Sequence, residues 1–122
     1  MKIANILNNP TDFTIGGKLW IMGGEERFFG PGRIELLENI EKTGSINKAA
    51  KAMNMSYKKA WEMIHSMNKQ TNMPMVITFT GGKEGGGAEI TNEARALITY
   101  FKAMHQRFRD FLAHETQQLF EN

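Results

Sequence analysis

SINKAAKAMNMSYKKAWEMIHSMNKQ, residues 45–70, is the stretch that decides the fold. Ser45 is a good helix N-cap, because its side-chain oxygen can accept from a free amide of the first turn. Ile46, Ala49, Ala50 and Met53 then follow the i, i+3, i+4, i+7 spacing of one helical face. Asn54-Met55 predicts a short turn, and Ser56 a second N-cap. In the helix that follows, Tyr57, Ala60, Trp61, Ile64 and Met67 mark the buried stripe. Small Ala49 and Ala50 let the two helices approach closely, and the short turn sets a steep angle between them. Ser56, Lys58, Lys59, Glu62 and Met63 are left on or near the free side.

Upstream, Ile3, Ile6 and Leu7 predict one helical turn that Asn8-Asn9-Pro10 ends. Phe13, Ile15, Leu19 and Ile21 alternate, and Gly23-Gly24 separates them from residues 26–29, a hairpin pattern. Gly30-Pro31-Gly32 opens a helix with Ile34, Leu37 and Ile40 on one face and Glu35, Glu38 and Glu41 on others. Thr43-Gly44 stops it. Downstream, the apolar run 75–79, the glycine-rich loop 80–87 and Ala88, Glu89 and Ile90 predict a second hairpin. Thr91 caps a long helix to about Leu119. Its positions Ala94, Leu97, Phe101, Met104, Phe108 and Phe111 step by three and four, a heptad seam that predicts dimerisation.

The fold class expected is therefore mainly α with small β: a winged helix-turn-helix with an N-terminal β-hairpin, a wing hairpin and a long C-terminal dimerisation helix. One domain is expected over 1–122, with the N-terminal hairpin at 18–30, the three-helix core at 31–70, the wing at 75–90 and the dimerisation helix at 91–120. A plain three-helix bundle with solvated lysines is the competing reading; the strand–glycine loop–strand that follows favours a DNA reader, because a bundle has no need of it. Lysines reach phosphates and guanine edges, and serine hydroxyls reach either phosphate or base.

Composition bounds the function classes. The chain has 122 residues, no cysteine and a formal net charge of +2. That charge is too small to argue for nucleic acid by itself, so the argument rests on pattern. Cysteine-based metal sites and disulfides are excluded. His65, His105 and His114 lack metal-ligand spacing, the three glutamates at 35, 38 and 41 read as a solvated flank, and no nucleophile elbow occurs, so no enzyme, no metal and no cofactor are expected. The nine methionines read as core filling. The glycine loop fails the Walker pattern, since Glu84 follows Lys83. The N-terminus lacks the apolar stretch of a secretory signal, and no apolar run approaches a membrane span, so a cytoplasmic protein without a membrane partner is expected.

Ser56-Tyr57-Lys58-Lys59-Ala60-Trp61, then Met67-Asn68, then Thr80-Gly81-Gly82-Lys83 with Gly85-Gly86-Gly87-Ala88 and Thr91 closely resemble the N-terminal domain of the ModE family of molybdate-responsive regulators. Gly44-Ser45-Ile46 with Ala49 is similar to the family's first motif. The resemblance spans roughly residues 18–110. It implies a bacterial transcription regulator: a winged helix related to LysR-type domains, acting as a homodimer on double-stranded DNA with an imperfect inverted repeat. By position, Ser56, Tyr57, Lys58 and Lys59 match the start of the recognition helix, 56–70, and Gly82 to Gly87 the wing, 80–88. Glu84 stands where the family usually has glycine. The DNA-contacting set expected is Ser45, Asn47, Lys48, Ser56, Tyr57, Lys58, Lys59, Glu62, Gly82, Lys83, Gly85 and Gly86. The dimer set is Leu97, Phe101, Met104, Phe108 and Phe111. Family regulators carry C-terminal molybdate-binding domains; this chain ends soon after the long helix, so molybdate binding is not expected in it, and a separate molybdate-sensing protein becomes a candidate partner. Two alternatives stand beside this reading: a winged-helix protein-interaction adaptor without DNA binding, and a small-anion or nucleotide binder using the glycine loop.

Overall fold

A computed structural model of the chain describes residues 1–80 and 86–122. It is a mainly helical fold with two small antiparallel hairpins and a long C-terminal helix, the winged helix-turn-helix architecture. The elements run β1 (Ile21–Gly23), β2 (Glu26–Phe29), α1 (Pro31–Thr43), α2 (Ile46–Ala52), α3 (Tyr57–Lys69), β3 (Val76–Phe79), β4 (Gly87–Ile90) and α4 (Asn92–Glu121). The chain divides into two bodies, Trp20–Tyr100 and Met1–Leu19 with Phe101–Asn122.

In the first body the helix ends follow local chemistry. Pro31 occupies the first position of α1, where its missing N–H costs nothing. Gly44 ends α1 at φ 70°, its amide donating to the Ile40 carbonyl at 2.7 Å. The Ser45 and Ser56 hydroxyls accept from the Lys48 and Lys59 amides at 3.1 and 3.0 Å, and Thr91 Oγ1 accepts from the Ala94 amide at 3.2 Å. Between α2 and α3, Asn54 sits at φ 53°; its amide donates to the Lys51 carbonyl, and the Met55 amide to the Ala50 carbonyl. This is a Schellman turn with asparagine in the left-handed place that glycine usually fills. Ala49, Ala50 and Ala60 are at most 1% exposed, so the two helices meet with nothing larger than methyl groups at these positions. Phe29, Leu36, Leu37, Ile40, Ile64 and Met67 fill the core around them.

Side-chain amides then fasten the hairpins to α3. Asn68 Oδ1 accepts from the Met75 amide at 2.7 Å and its Nδ2 donates to the Val76 carbonyl at 3.2 Å, which seats β3 on the end of α3. Gln70 Nε2 donates to the Arg27 and Ser66 carbonyls. Arg33 donates to the carbonyls of Arg27 and Phe28 at 2.9 and 2.8 Å. The Ala88 amide donates to the Gly44 carbonyl at 3.0 Å, so the α1–α2 turn holds β4. In β1–β2 the pairing shifts register between Ile21 and Met22. The Trp20 ring covers Gly30 so closely that a Cβ there has no room, and Arg27 stacks over that ring at 4.2 Å.

Three sequence expectations change. The first strand begins only at Ile21: residues 13–20 form no strand, and Phe13 and Ile15 are exposed. Gly16-Gly17 interrupts the alternation, and the Ile15 amide donates to Thr116 Oγ1 at 2.9 Å within the second body instead of joining a ladder. The N-terminal helical turn is a 3-10 turn, Ile3–Ile6, followed by another at Pro10–Asp12. The buried sets also contain residues the stripes omitted: Leu36 in α1 and Ile98 in α4.

Two substitutions test this account by urea denaturation. Asn54→Val costs about 1–2 kcal/mol, the strain of a left-handed β-branched residue, whereas Asn54→Gly leaves stability within a few tenths. Asn68→Ala costs about 1–3 kcal/mol, because the Met75 amide and the Val76 carbonyl lose their partner. Equal stability of the Val and Gly variants contradicts the turn assignment.

Candidate nucleic-acid interface

The capped start of α3 carries its chemistry outward. Ser56, Tyr57, Lys58, Lys59 and Glu62 are all exposed. At the start of α2, Asn47 and Lys48 are exposed and Ser45 is half-buried. Because the core closes on Ala60, Ile64 and Met67, the opposite side of α3 is free. Both serine oxygens already accept an amide as caps, and each hydroxyl proton remains able to donate outward.

Trp61 corrects the expectation from sequence. The apolar stripe places it in the core with Ile64, yet it is 45% exposed, and Tyr57, which belongs to both expected sets, is 49% exposed. The physical reason is the wheel itself. Ala60, Ile64 and Met67 complete the buried stripe, while Tyr57, Trp61 and His65 form the neighbouring i, i+4, i+8 row. The Trp61 and His65 rings lie 5.6 Å apart along that row.

Tyr57 and Trp61 join Ser45, Asn47, Phe79 and Gly87 around a depression of about 380 Å³. Phe79 is 53% exposed at the end of β3; in the sequence it is one member of an apolar strand run, with no site role expected of it. Val76 is buried while Ile77, Thr78 and Phe79 are all exposed, so β3 does not follow the period-2 alternation of a half-buried strand, and no pattern in the sequence signalled the exposure of Phe79. At the far end of α3, Ser66 Oγ donates to Glu26 Oε1 at 2.9 Å and Lys69 lies 3.4 Å from the same oxygen. The Ser66 hydrogen bond, helped by Lys69, holds the Glu26 carboxyl below its ordinary value.

Of the expected wing residues, Gly82, Lys83 and Gly85 lie outside the described residues. Gly86 is exposed, and a Cβ there would stand 2.6 Å from the Phe79 carbonyl oxygen, so the chain needs glycine to pass. On α4, Leu97, Met104 and Phe108 are half-buried and Phe111 is 56% exposed. Phe101 is 1% exposed in the single chain and stacks on His105 at 5.8 Å. Among the described residues no group of three or more histidine, cysteine, aspartate or glutamate side chains is placed to hold a metal ion, and no helix is long and apolar enough to cross a membrane.

Comparison with known proteins supplies relatives over much of the chain. The chain is 39% identical over 89 residues to the molybdenum transport protein ModE of Azotobacter vinelandii, covering 73% of this chain and 33% of that protein. It is 40% identical over 98 residues to the transcriptional regulator ModE of Yersinia pestis, covering 80% and 34% respectively. It is 40% identical over 82 residues to the DNA-binding transcriptional dual regulator ModE of Escherichia coli K12, covering 67% and 31%. The chain spans about a third of the length of the curated relatives it matches. No protein-family model matches it. The chain is thus homologous, over part of its length, to transcriptional regulators of the ModE type rather than to enzymes.

The burial pattern of α3 makes a direct stability prediction. Ile64→Ala costs about 2–5 kcal/mol, whereas Trp61→Ala costs no more than about 1.5 kcal/mol despite removing the larger side chain. Thermal or urea unfolding checks the pair; a Trp61 variant as damaged as the Ile64 variant contradicts the exposed placement.

Proposed function

We propose that this chain is a sequence-specific DNA-binding transcription regulator of the ModE type. The observation that carries the reading is the exposed N-terminal half of α3, where Ser56, Tyr57, Lys58, Lys59 and Glu62 sit free of the core beside Asn47 and Lys48 of α2. In a helix-turn-helix the second helix enters the major groove by its N-terminal residues while the preceding helix crosses the backbone. Lys58 and Lys59 meet phosphates or guanine edges, Ser45, Asn47 and Lys48 hold the backbone, and Glu62 accepts from a cytosine amine. Gly82, Lys83, Gly85 and Gly86 are the DNA contacts this reading assigns to the wing. The homology to a protein named as a DNA-binding regulator supports the same reading.

The working unit in this proposal is a homodimer built on α4, through Leu97, Phe101, Met104, Phe108 and Phe111, of which Phe111 is the most exposed and Phe101 the most buried in the single chain. A twofold dimer matches a palindromic site. Molybdenum enters through the names of the relatives, and a separate molybdate-sensing protein is the partner this reading assigns. The cytoplasm is its place of action.

Fluorescence anisotropy against duplex DNA tests the proposal. The wild-type chain binds with an affinity that falls steeply as salt rises. Lys58→Ala/Lys59→Ala stays folded, binds at least about tenfold more weakly, and loses about one unit of salt slope for each lysine that meets a phosphate. Unchanged affinity in the double variant sinks the assignment of α3. Absence of any duplex binding in the wild type favours the adaptor alternative.

A further inference from the structure

The exposed side of α3 carries an apolar element that phosphate contacts do not use. Trp61 lines the depression it shares with Ser45, Asn47, Tyr57 and Phe79, and also a second one lined by Glu26, Glu62, His65, Ser66 and Lys69. The indole therefore stands between two hollows on the outer face of the helix. It is held there by the fold, because its neighbour Ala60 is fully buried, with Ile64 and Met67, and this burial fixes which way α3 is turned. Lys58 and Glu62, the next i, i+4 row, run alongside it. An indole exposed in the middle of a row of groove-reading side chains requires its own ligand chemistry.

The floor of a DNA major groove presents hydrogen-bond donors and acceptors at every base pair and one apolar group, the C5-methyl of thymine. Indole carbon laid against a polar base edge strips water from it and supplies no partner, which is unfavourable. The same surface laid against a methyl removes apolar area from water on both sides. We infer that Trp61, flanked by Tyr57 and Phe79, is a specificity-determining residue that reads thymine methyl groups by apolar contact. The inference rests on the DNA-binding reading above and adds to it a component of recognition independent of charge. Lysine–phosphate contacts weaken as salt rises; the methyl contact does not share that dependence.

The test uses a duplex recovered by the wild-type chain from a random-sequence library, prepared once with thymine and once with uracil replacing each thymine. Uracil keeps every hydrogen-bonding group and lacks only the methyl. Wild-type chain binds the uracil duplex about fourfold more weakly for each methyl removed from beneath the indole. Trp61→Ala binds the thymine duplex more weakly, no longer distinguishes it from the uracil duplex, and keeps the wild-type salt slope. Trp61→Phe restores part of the discrimination, and a cooperative thermal transition well above the assay temperature shows that the variants are folded. Equal wild-type affinity for the two duplexes, or undiminished discrimination in Trp61→Ala, overturns the role given to Trp61 while leaving DNA binding standing. Failure to enrich any sequence from the library overturns the DNA-binding reading itself, and this inference with it.

Discussion

The left-handed turn at Asn54 is the constraint on which the rest depends. Without it, helical periodicity would carry α2 straight on through residues 53–56 into α3 as one rod, and no helix would project. Asn54 reverses the sign of φ at a single residue, and the amides of Asn54 and Met55 close on the carbonyls of Lys51 and Ala50. The buried alanines then fix how closely and at what rotation the two helices meet. That rotation decides everything that follows on α3: which row is buried, and which row carries Tyr57, Lys58, Trp61 and Glu62 outward.

A two-stranded hairpin is marginal in water by itself. The described residues form two, and among them neither joins a larger sheet. Their stability comes from hydrogen bonds that cross between elements: Asn68 to β3, Gln70 and Arg33 to the β2 carbonyls, and the Gly44 carbonyl to β4. Each of these satisfies strand backbone groups while tying the strand to a helix end. The consequence for function is positional. The wing base and the start of α3 are braced to one framework, so the groups argued to meet DNA keep their spacing in the free protein, which lowers the ordering cost of binding.

The legible parts of the fold were those written in local chemistry. Ser45, Ser56 and Thr91 cap the helices they precede, and Pro31 and Gly44 bracket α1, all from side-chain or φ preferences that need no tertiary partner. The lysines of α3 were legible for a related reason: charge on a capped first turn has nowhere to go but the surface. Trp61 was not legible, since an aromatic adjoining an apolar stripe reads as core by hydrophobicity alone, and it is exposed because Ala60, Ile64 and Met67 already complete the buried strip. Phe101 shows the limit of a heptad seam, which cannot by itself say whether its partner is the chain itself or a copy. Residues 13–20 alternate like a strand, yet Gly16-Gly17 breaks the run and Ile15 finds Thr116 as its hydrogen-bond partner.

The central claim is that the outer face of α3 docks into duplex DNA, and amide chemical-shift mapping tests it most directly. Titration of an isotope-labelled chain with duplex DNA is expected to move the resonances of residues 45–48 and 56–65 first and furthest, leaving the Met73, Leu97 and Tyr100 surface of the same body unchanged. Shifts concentrated around Met73 and Tyr100, with α3 silent, contradict the account.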